Sequence, residues 1–302
     1  MQENPLVSII CLAYNHEKFV VEALNSVVQQ NYSPIELIIV DDYSSDTTKS
    51  IIEAWLLSHS NVQFIANEVN LGITKSFNIA LKLAKGEYII DLAADDLLMP
   101  NGIQMQVNAF HKSTFKNLGI VYGNAEIINE NGSFNSYYFP VDTNKNVITK
   151  RKTGDIYCSV LSTGDSICSV SAMIKKNAID YLGGYDETLN YEDLDFWIRA
   201  SRHYEFDFID NILVKKRNIS NSLSTIFLKK NNKIDLSTLK ILRKAFKLNR
   251  SKEEDLALQK RVNFEIIHSF KNRNFYLFIK NIGLRFKISW RKKLNKYEFF
   301  NL

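Results

Sequence analysis

The sequence predicts an α/β fold organised on a mostly parallel sheet. Short, almost wholly apolar runs recur four times in the first hundred residues, and the first three are each followed by a stretch whose apolar side chains return every three or four positions. Runs of that kind mark strands buried on both faces, and their alternation with helices implies right-handed crossovers between parallel strands. Acidic and aromatic residues gather just past the ends of the runs, where open α/β sheets place their ligand crevice.

The first strand is read over Leu6–Leu12 (LVSIICL), and the helix after it carries Phe19, Val20, Ala23, Leu24, Val27 and Val28 on one face. Ile35–Val40 is the second strand, and Asp46 is placed to cap a helix that turns Ile51, Ile52 and Trp55 inward. Val62–Ala66 makes the third strand, a stripe of Ile73, Phe77, Ala80, Leu81 and Ala84 the helix behind it, and Glu87–Ala93 the fourth strand. A helix from Pro100 to about Phe115 comes next, then two strands joined by a turn at Asn131-Gly132, then a loop over residues 140–165. Residues 169–200 give a strand, a short helix, a Gly-Gly turn and a helix opening near Tyr191-Glu192-Asp193. From about Thr225 the pattern is helical to the end.

A chain of 302 residues with 45% apolar content can bury a full core. Cys11, Cys158 and Cys168 are too few and too scattered for a disulfide framework or a thiolate metal site, and the five histidines lack ligand spacing. The opening residues show no basic segment followed by an apolar run, and no stretch approaches the ~20 apolar residues that cross a bilayer, so a cytoplasmic location is expected. The net charge of +5 conceals an asymmetry, because residues 226–302 carry +14 and residues 1–225 carry −9. An acidic body therefore bears a basic tail.

Side-by-side carboxylates repel each other, so Asp95 and Asp96, placed together at the end of the fourth strand, are candidates for holding a cation or hydrogen-bond donors. The alternative is a solvated turn that caps the next helix. Convergence favours the site: Ala13-Tyr14-Asn15 follow the first strand, Asp41-Asp42 the second, and Asn67 to Gly72 the third. The chain has Tyr14-Asn15-His16 where a dinucleotide fold needs G-x-G-x-x-G, and it lacks G-x-x-x-x-G-K-[ST]. Without a glycine-rich cradle, a phosphate ligand would be held through a metal, and Mg²⁺ or Mn²⁺ takes one or two carboxylates plus the substrate's own phosphates.

Three blocks carry a resemblance: "VSIICLAYNHEKFVVEALNSVVQQNYSPIELIIVDDYSSDTT", "NLGITKSFNIALKLAKGEYIIDLAADDLLMP" and "GGYDETLNYEDLDFWIRA". In order and spacing they resemble the signature blocks of the family 2 glycosyltransferases, inverting enzymes of the GT-A fold, over roughly residues 5–225. The resemblance implies a GT-A catalytic domain over 1–225, with a nucleotide-sugar-binding half over 1–100 and an acceptor-side half over 101–225, followed by a C-terminal helical extension over 226–302. It gives Tyr14, between Ala13 and Asn15, a place stacked on uracil, and Asp42, with Asp41 beside it, a hydrogen bond from the base. Asp95 and Asp96 would divide ribose binding and coordination of Mn²⁺ or Mg²⁺. Many relatives have Asp-x-Asp here, where this chain has Ala93, so which carboxylate ligates the metal stays open. Asn70, Gly72 and Lys75 fall in the family's N-x-G segment, with Lys75 near the diphosphate or base. Ile219 stands where relatives often place a histidine near the metal, so no histidine ligand is expected.

For inversion a carboxylate takes the proton of the acceptor hydroxyl as that oxygen attacks the anomeric carbon. The family pattern puts that role on Asp193, with Glu192 orienting or binding acceptor, whereas a helix start alone would also favour acids there. The implied partners are a nucleotide-sugar donor, a uridine diphosphate sugar in the first instance, and a saccharide or lipid-linked saccharide acceptor of bacterial surface polysaccharide such as lipopolysaccharide, O-antigen or capsule. A protein-directed transferase and a non-catalytic nucleotide-sugar-binding protein are the alternatives. In the tail, Phe275, Phe278, Ile279, Ile282 and Phe286 make a helical stripe ringed by Lys280, Arg285, Lys287 and Arg291–Lys293. Peripheral contact with an anionic membrane, rather than nucleic acid, is the expectation, against a helix packed on the catalytic domain by this stripe.

Overall fold

Val7–Ala13 (β1) is buried along its whole length, as its near-continuous apolar run requires of a strand covered on both faces. The computed structural model describes residues 4–163, 167–219 and 233–297. In it β1 pairs in parallel with Ile35–Asp41 (β2) on one side and Tyr88–Ala93 (β4) on the other, and β2 pairs in parallel with Gln63–Ala66 (β3). Helices Val20–Val28 (α1), Thr48–Leu56 (α2) and Ile73–Leu81 (α3) make the crossovers. The register aligns the strand ends: Ala13 lies beside Asp41, Asp41 beside Ala66 and Leu12 beside Ala93. The residues that leave these strands are therefore delivered to one edge.

The second half of the sheet is mixed. The strand order is β3-β2-β1-β4-β8-β6-β9-β5, in which Leu97–Leu98 is β5, Leu118–Asn129 β6, Met173–Lys175 β8 and Glu205–Asn218 β9. Phe134–Tyr137 (β7) pairs with β6 through a turn at Gly132, whose φ is +82°. Helices Gly102–Lys112 (α4), Tyr157–Thr163 (α5), Lys176–Tyr181 (α6) and Asp193–Ser201 (α7) cover this half. The GT-A architecture expected from the sequence is the one observed.

Several expectations are corrected. Val28 is 49% exposed, so the stripe of α1 ends at Val27. The helix expected to reach Phe115 stops at Lys112, because Ser113 adopts extended backbone. The stretch 140–165, of loop composition, contains α5, which packs against α7. The Leu-Leu pair after Asp95-Asp96, unassigned from the sequence, is β5, which pairs with Val214 and Lys215 of β9. Asp46 accepts from the Thr48 amide at 2.9 Å, one residue ahead of the N-cap Thr47.

Three helices close the chain: Lys233–Leu248 (α8), Lys252–Lys271 (α9) and Phe275–Leu294 (α10). The boundary placed at 225/226 lies outside the described residues. One apolar cluster runs from β1 through Phe196 of α7 to Ile241, Leu242, Leu258, Leu284 and Ile288 of these helices. Polar ties fix the same junction. Tyr157 Oη donates to Asn249 at 2.8 Å, Arg202 pairs with Glu254 at 2.8 Å, and Lys244 reaches Asp195 at 2.8 Å.

The turn before α7 depends on glycine. Gly184 has φ +74°, and a Cβ there would lie 2.4 Å from Asn78 Oδ1. That oxygen accepts from the Tyr185 amide at 2.9 Å while Asn78 Nδ2 donates to the Tyr185 carbonyl at 2.9 Å, a paired bond between α3 and the approach to α7. Gly184→Ala combines an unfavourable backbone with a steric clash and should cost about 1–3 kcal/mol. Chemical denaturation of the two proteins measures the loss, and equal stability would contradict the clash.

Candidate active site

At the end of β1 the chain turns through Asn15, whose φ of +58° is one that Asn tolerates better than most residues. Asn15 Oδ1 accepts from the Ser45 amide at 2.8 Å, the Asn15 amide donates to Ser44 Oγ at 2.9 Å, and the His16 amide donates to Thr48 Oγ1 at 2.8 Å. The loops after β1 and β2 are thus stitched together, and Asn15 serves as their brace. Ala13 is buried, and its carbonyl accepts from the Asp42 amide at 2.9 Å. Tyr14 rides on this brace with its side chain 47% exposed, a free aromatic face for stacking.

Asp41 is buried and receives both the amide and the hydroxyl of Ser44. Asp42 ties the end of β2 to the segment after β3. Its Oδ1 accepts from Asn67 Nδ2 at 2.9 Å, the Leu71 amide at 2.8 Å and Ser76 Oγ at 2.9 Å, and its Oδ2 accepts from the Gly72 amide at 2.8 Å. Asn70 Nδ2 donates to the Asp42 carbonyl at 3.1 Å. Gly72, with φ +83°, turns the chain into α3 so that its amide meets Asp42. Oδ2 takes one bond and keeps capacity for a donor on a base. Lys75 is exposed on the first turn of α3.

Asp95 and Asp96 are both buried. Asp96 Oδ1 accepts the Arg217 amide at 2.8 Å, and Arg217 Nε donates to the Asp95 carbonyl at 3.1 Å. His16 Nε2 lies 3.9 Å from Asp95 Oδ1. Burial and the charge of Asp95 hold the Asp96 carboxyl well above the usual range, against the pull of Arg217 and Lys216. A bound cation would relieve that cost, so the pair suits an oxygen-seeking metal. Among the described residues no group of three or more His, Cys, Asp or Glu side chains converges on one point. The remaining ligands would come from diphosphate and water.

Glu192 and Asp193 sit where α7 begins. Asp193 Oδ1 accepts the Leu194 amide at 2.6 Å, and Ser169 Oγ, which accepts from Trp197 Nε1 at 2.9 Å, lies 3.4 Å from Oδ2. Glu192 Oε2 is buried without a hydrogen-bond partner among the described residues. Burial, Asp193 and Asp91 push the Glu192 carboxyl far up, whereas Asp193 is raised by burial but eased by the Leu194 amide and Lys216. Burial thus raises both acids, but their surroundings differ: Glu192 has an oxygen that no described residue satisfies, and Asp193 has the Leu194 amide. Such a difference in surroundings is one way sites separate donor from acceptor roles.

The two acid groups lie within reach of one charge: Lys216 of β9 acts favourably on Asp96, Glu192 and Asp193 alike. Asp91 lies near Glu192: Tyr185 Oη donates to the Asp91 Oδ2 at 2.9 Å, and ionisation of Asp91 raises the Glu192 carboxyl. Burial pushes the Asp91 carboxyl up to about 7 despite the Tyr185 bond. Sequence reasoning misses His16, Lys216 and Arg217. The β9 pair is visible there only as a basic run, and nothing local says that this strand pairs with β5 and β6 and so reaches the acids.

Comparison with known proteins bears on the family and the fold. The sequence model of glycosyl transferase family 2 matches residues 8–180. The chain belongs to that family. A glycosyltransferase of Rickettsia bellii is 34% identical over 215 residues, 70% of this chain, and the chain spans only 30% of that protein's length. An Escherichia coli enzyme named UDP-Glc:alpha-D-GlcNAc-diphosphoundecaprenol beta-1,3-glucosyltransferase is 36% identical over 146 residues, 48% of this chain and 55% of that protein. Among solved structures, Staphylococcus aureus TarS 1–349 in complex with UDP-GlcNAc matches with a TM-score of 0.68 at 16% identity, covering 98% of this chain and 93% of TarS. A mannosyltransferase of Pyrobaculum calidifontis in complex with GDP-Man and Mn²⁺ matches with a TM-score of 0.59 at 14% identity, covering 97% and 88%. This family 2 glycosyltransferase therefore has the GT-A fold, and its neighbours bind nucleotide-sugar donors.

The buried Asp91 has a consequence for stability. The folded protein keeps a proton on it up to about pH 7, which the unfolded chain releases near pH 4, so folding loses stability as pH rises between about 4 and 7. Asp91→Asn preserves an acceptor for Tyr185 and removes this dependence. Its Tm relative to the native protein should rise from pH 5 to pH 8, and a constant difference across that range would show that Asp91 does not carry the proton.

Proposed function

We propose that the chain is an inverting, metal-dependent glycosyltransferase that moves a sugar from a UDP-sugar to a saccharide acceptor, with Asp193 as general base. The observation that carries this reading is the delivery of Tyr14, Asp42, Asp95 and Asp96 to one edge of the parallel strands, with Glu192 and Asp193 at the buried start of α7 in electrostatic reach of the same Lys216. Tyr14 offers its exposed ring to the base, Asp42 Oδ2 accepts from it, and Asn70 and Gly72 hold that segment through Asp42. Asp95 and Asp96 would hold Mn²⁺ or Mg²⁺, which when bound neutralises charge on the departing diphosphate. Protonated Glu192 donates to an acceptor oxygen and so orients the hydroxyl, and Asp193 receives its proton as the new bond forms. The acceptor in this reading is lipid-linked and belongs to bacterial surface polysaccharide, such as lipopolysaccharide or capsule. The E. coli relative named for a diphosphoundecaprenol acceptor and TarS with UDP-GlcNAc support that choice. Such work would be done from the cytoplasmic side of a membrane; no described helix is long and apolar enough to cross one.

Asp193→Asn keeps shape and hydrogen bonding but cannot take the proton, so turnover should fall by about 10²–10⁴-fold with donor affinity nearly unchanged. Because burial raises the Asp193 carboxyl, the native rate should decline on the acid side at a pH above the usual aspartate range, and the variant's residual rate should lack that limb. Glu192→Gln, which keeps a donor, should cost less in turnover. Transfer rates against pH, beside donor binding by calorimetry, test the assignment; native turnover in Asp193→Asn would move the base elsewhere.

Asp96→Ala removes an expected metal contact and the acceptor for the Arg217 amide. Donor binding by calorimetry should weaken sharply in the presence of Mn²⁺ and become insensitive to chelator. Chelator-sensitive binding of native strength in this variant would remove Asp96 from the metal site.

A further inference from the structure

Helix α10 is apolar on two opposite faces. Leu277, Asn281, Leu284 and Ile288 face inward and are buried against α8 and α9. Arg291, next on that side, pairs with the buried Asp255 and stacks over Phe246. The other face carries Phe275, Ile279, Phe286 and Trp290, all exposed. The stripe expected from the sequence is thus the outward one, and the helix packs by a different set of residues.

This outward face has a defined chemistry. Helix α10 contains six Lys and Arg and no acidic residue. At 100° per residue, Lys280 and Lys287 fall on one flank of the exposed stripe and Arg285 on the other. Phe270, exposed at the end of α9, meets Phe278 with ring centroids 5.5 Å apart, so the apolar surface continues onto the neighbouring helix. Toward the C-terminal end of α10 it deepens into a cleft of about 760 Å³ formed by Phe246, Phe286 and Trp290 with Lys247, Lys287 and Lys293 around it. Apolar side chains in the middle and cations at the margins match a lipid interface of negative charge. An aliphatic and aromatic stripe of this length has no counterpart in the phosphate-tracking grooves of nucleic-acid proteins, which present stacked aromatics along a basic channel.

We propose that the outward face of α10 lies in the headgroup region of an anionic phospholipid bilayer, with Phe275, Ile279, Phe286 and Trp290 inserted and Lys280, Arg285 and Lys287 against the lipid phosphates. The proposal deepens the lipid-linked acceptor reading, and rests on it only for the biological reason to be at a membrane. The binding itself follows from the exposed face and needs no turnover.

Trp290 provides the probe. It is 67% exposed, whereas Trp55 and Trp197 are 8% and 4% exposed, so a change of emission on insertion reports this helix. The full chain, without donor, is titrated with phosphatidylcholine vesicles containing phosphatidylglycerol, with pure phosphatidylcholine vesicles, and with a single-stranded oligonucleotide. Expected are a blue shift and quenching by brominated acyl chains on the anionic vesicles alone. Ile279→Ser and Phe286→Ser, surface changes whose folding is checked by Tm, should each weaken partitioning by about tenfold or more. Lys280→Gln and Lys287→Gln should each weaken it by roughly fivefold at low salt and less at high salt. All four should keep native transfer to a water-soluble acceptor if the enzymatic reading holds, so failure there is separate from failure here. Unchanged emission with anionic vesicles, an equal response to neutral ones, or a shift produced only by the oligonucleotide or by raising protein concentration would overturn the proposal.

Discussion

The site is organised by one buried cation. Arg217 has a side chain only 2% exposed, and it reaches three separate segments. Its amide and Nε hold Asp96 and the Asp95 carbonyl, Nη1 donates to the Glu130 carbonyl at 2.9 Å, Nη2 binds Glu22 of α1, and the guanidinium lies over Phe19 at 4.8 Å. The end of β4, the turn between β6 and β7, and the first turn of α1 therefore meet on one side chain. Its ion-pair partner Glu22 is 57% exposed, so the guanidinium is satisfied from one side by backbone carbonyls and from the other by a carboxylate at the surface. Arg217 also explains β5: two residues of pairing between Leu97-Leu98 and β9 set the register that brings the arginine to the aspartates.

Adjacent residues of one strand, which face opposite sides, then divide the electrostatics. Arg217 is spent on structure, and its neighbour Lys216 faces the opposite side, where it eases Asp96, Glu192 and Asp193 without a hydrogen bond or ion pair to any described residue. A half-buried lysine left unpaired among three acids keeps its charge available. The acids, in turn, are not equivalent. Asp193 has a helix amide, and Glu192 has an oxygen that no described residue satisfies.

Much of the fold was legible because its signals are local. Four apolar runs, three amphipathic stripes and the Gly183-Gly184 turn each follow from residues within a few positions of one another. The strand ends Tyr14, Asp42, Asp95 and Asp96 could be placed from topology, since a parallel sheet presents its carboxyl ends together. What was not legible depends on distant partners. Val28 is apolar yet exposed, α5 lies in a stretch of loop composition, and β5 is recognisable only through its pairing with β9, more than a hundred residues on. His16 approaches Asp95 only because Asn15 turns left-handed and the adjoining loop is stitched to Ser44 and Ser45. Asp42 has the sequence signature of a free ligand and proves to carry four hydrogen bonds that shape its own surroundings.

The same burial that makes the site useful makes it costly to fold. Asp91, Asp96 and Glu192 are all held above their ordinary range mainly by removal from water, and each would be more comfortable exposed. The rest of the molecule offsets this with apolar packing that is continuous from β1 to α10 and with polar ties that are satisfied, such as Asp255 held by Arg291, Asn249 and the Tyr297 hydroxyl. The helices after β9 thus support α5 and α7 directly. By bracing α5 and α7 through Tyr157, Asp195 and Arg202, they fix the start of α7, and with it the different surroundings of Glu192 and Asp193 on which the proposed chemistry turns.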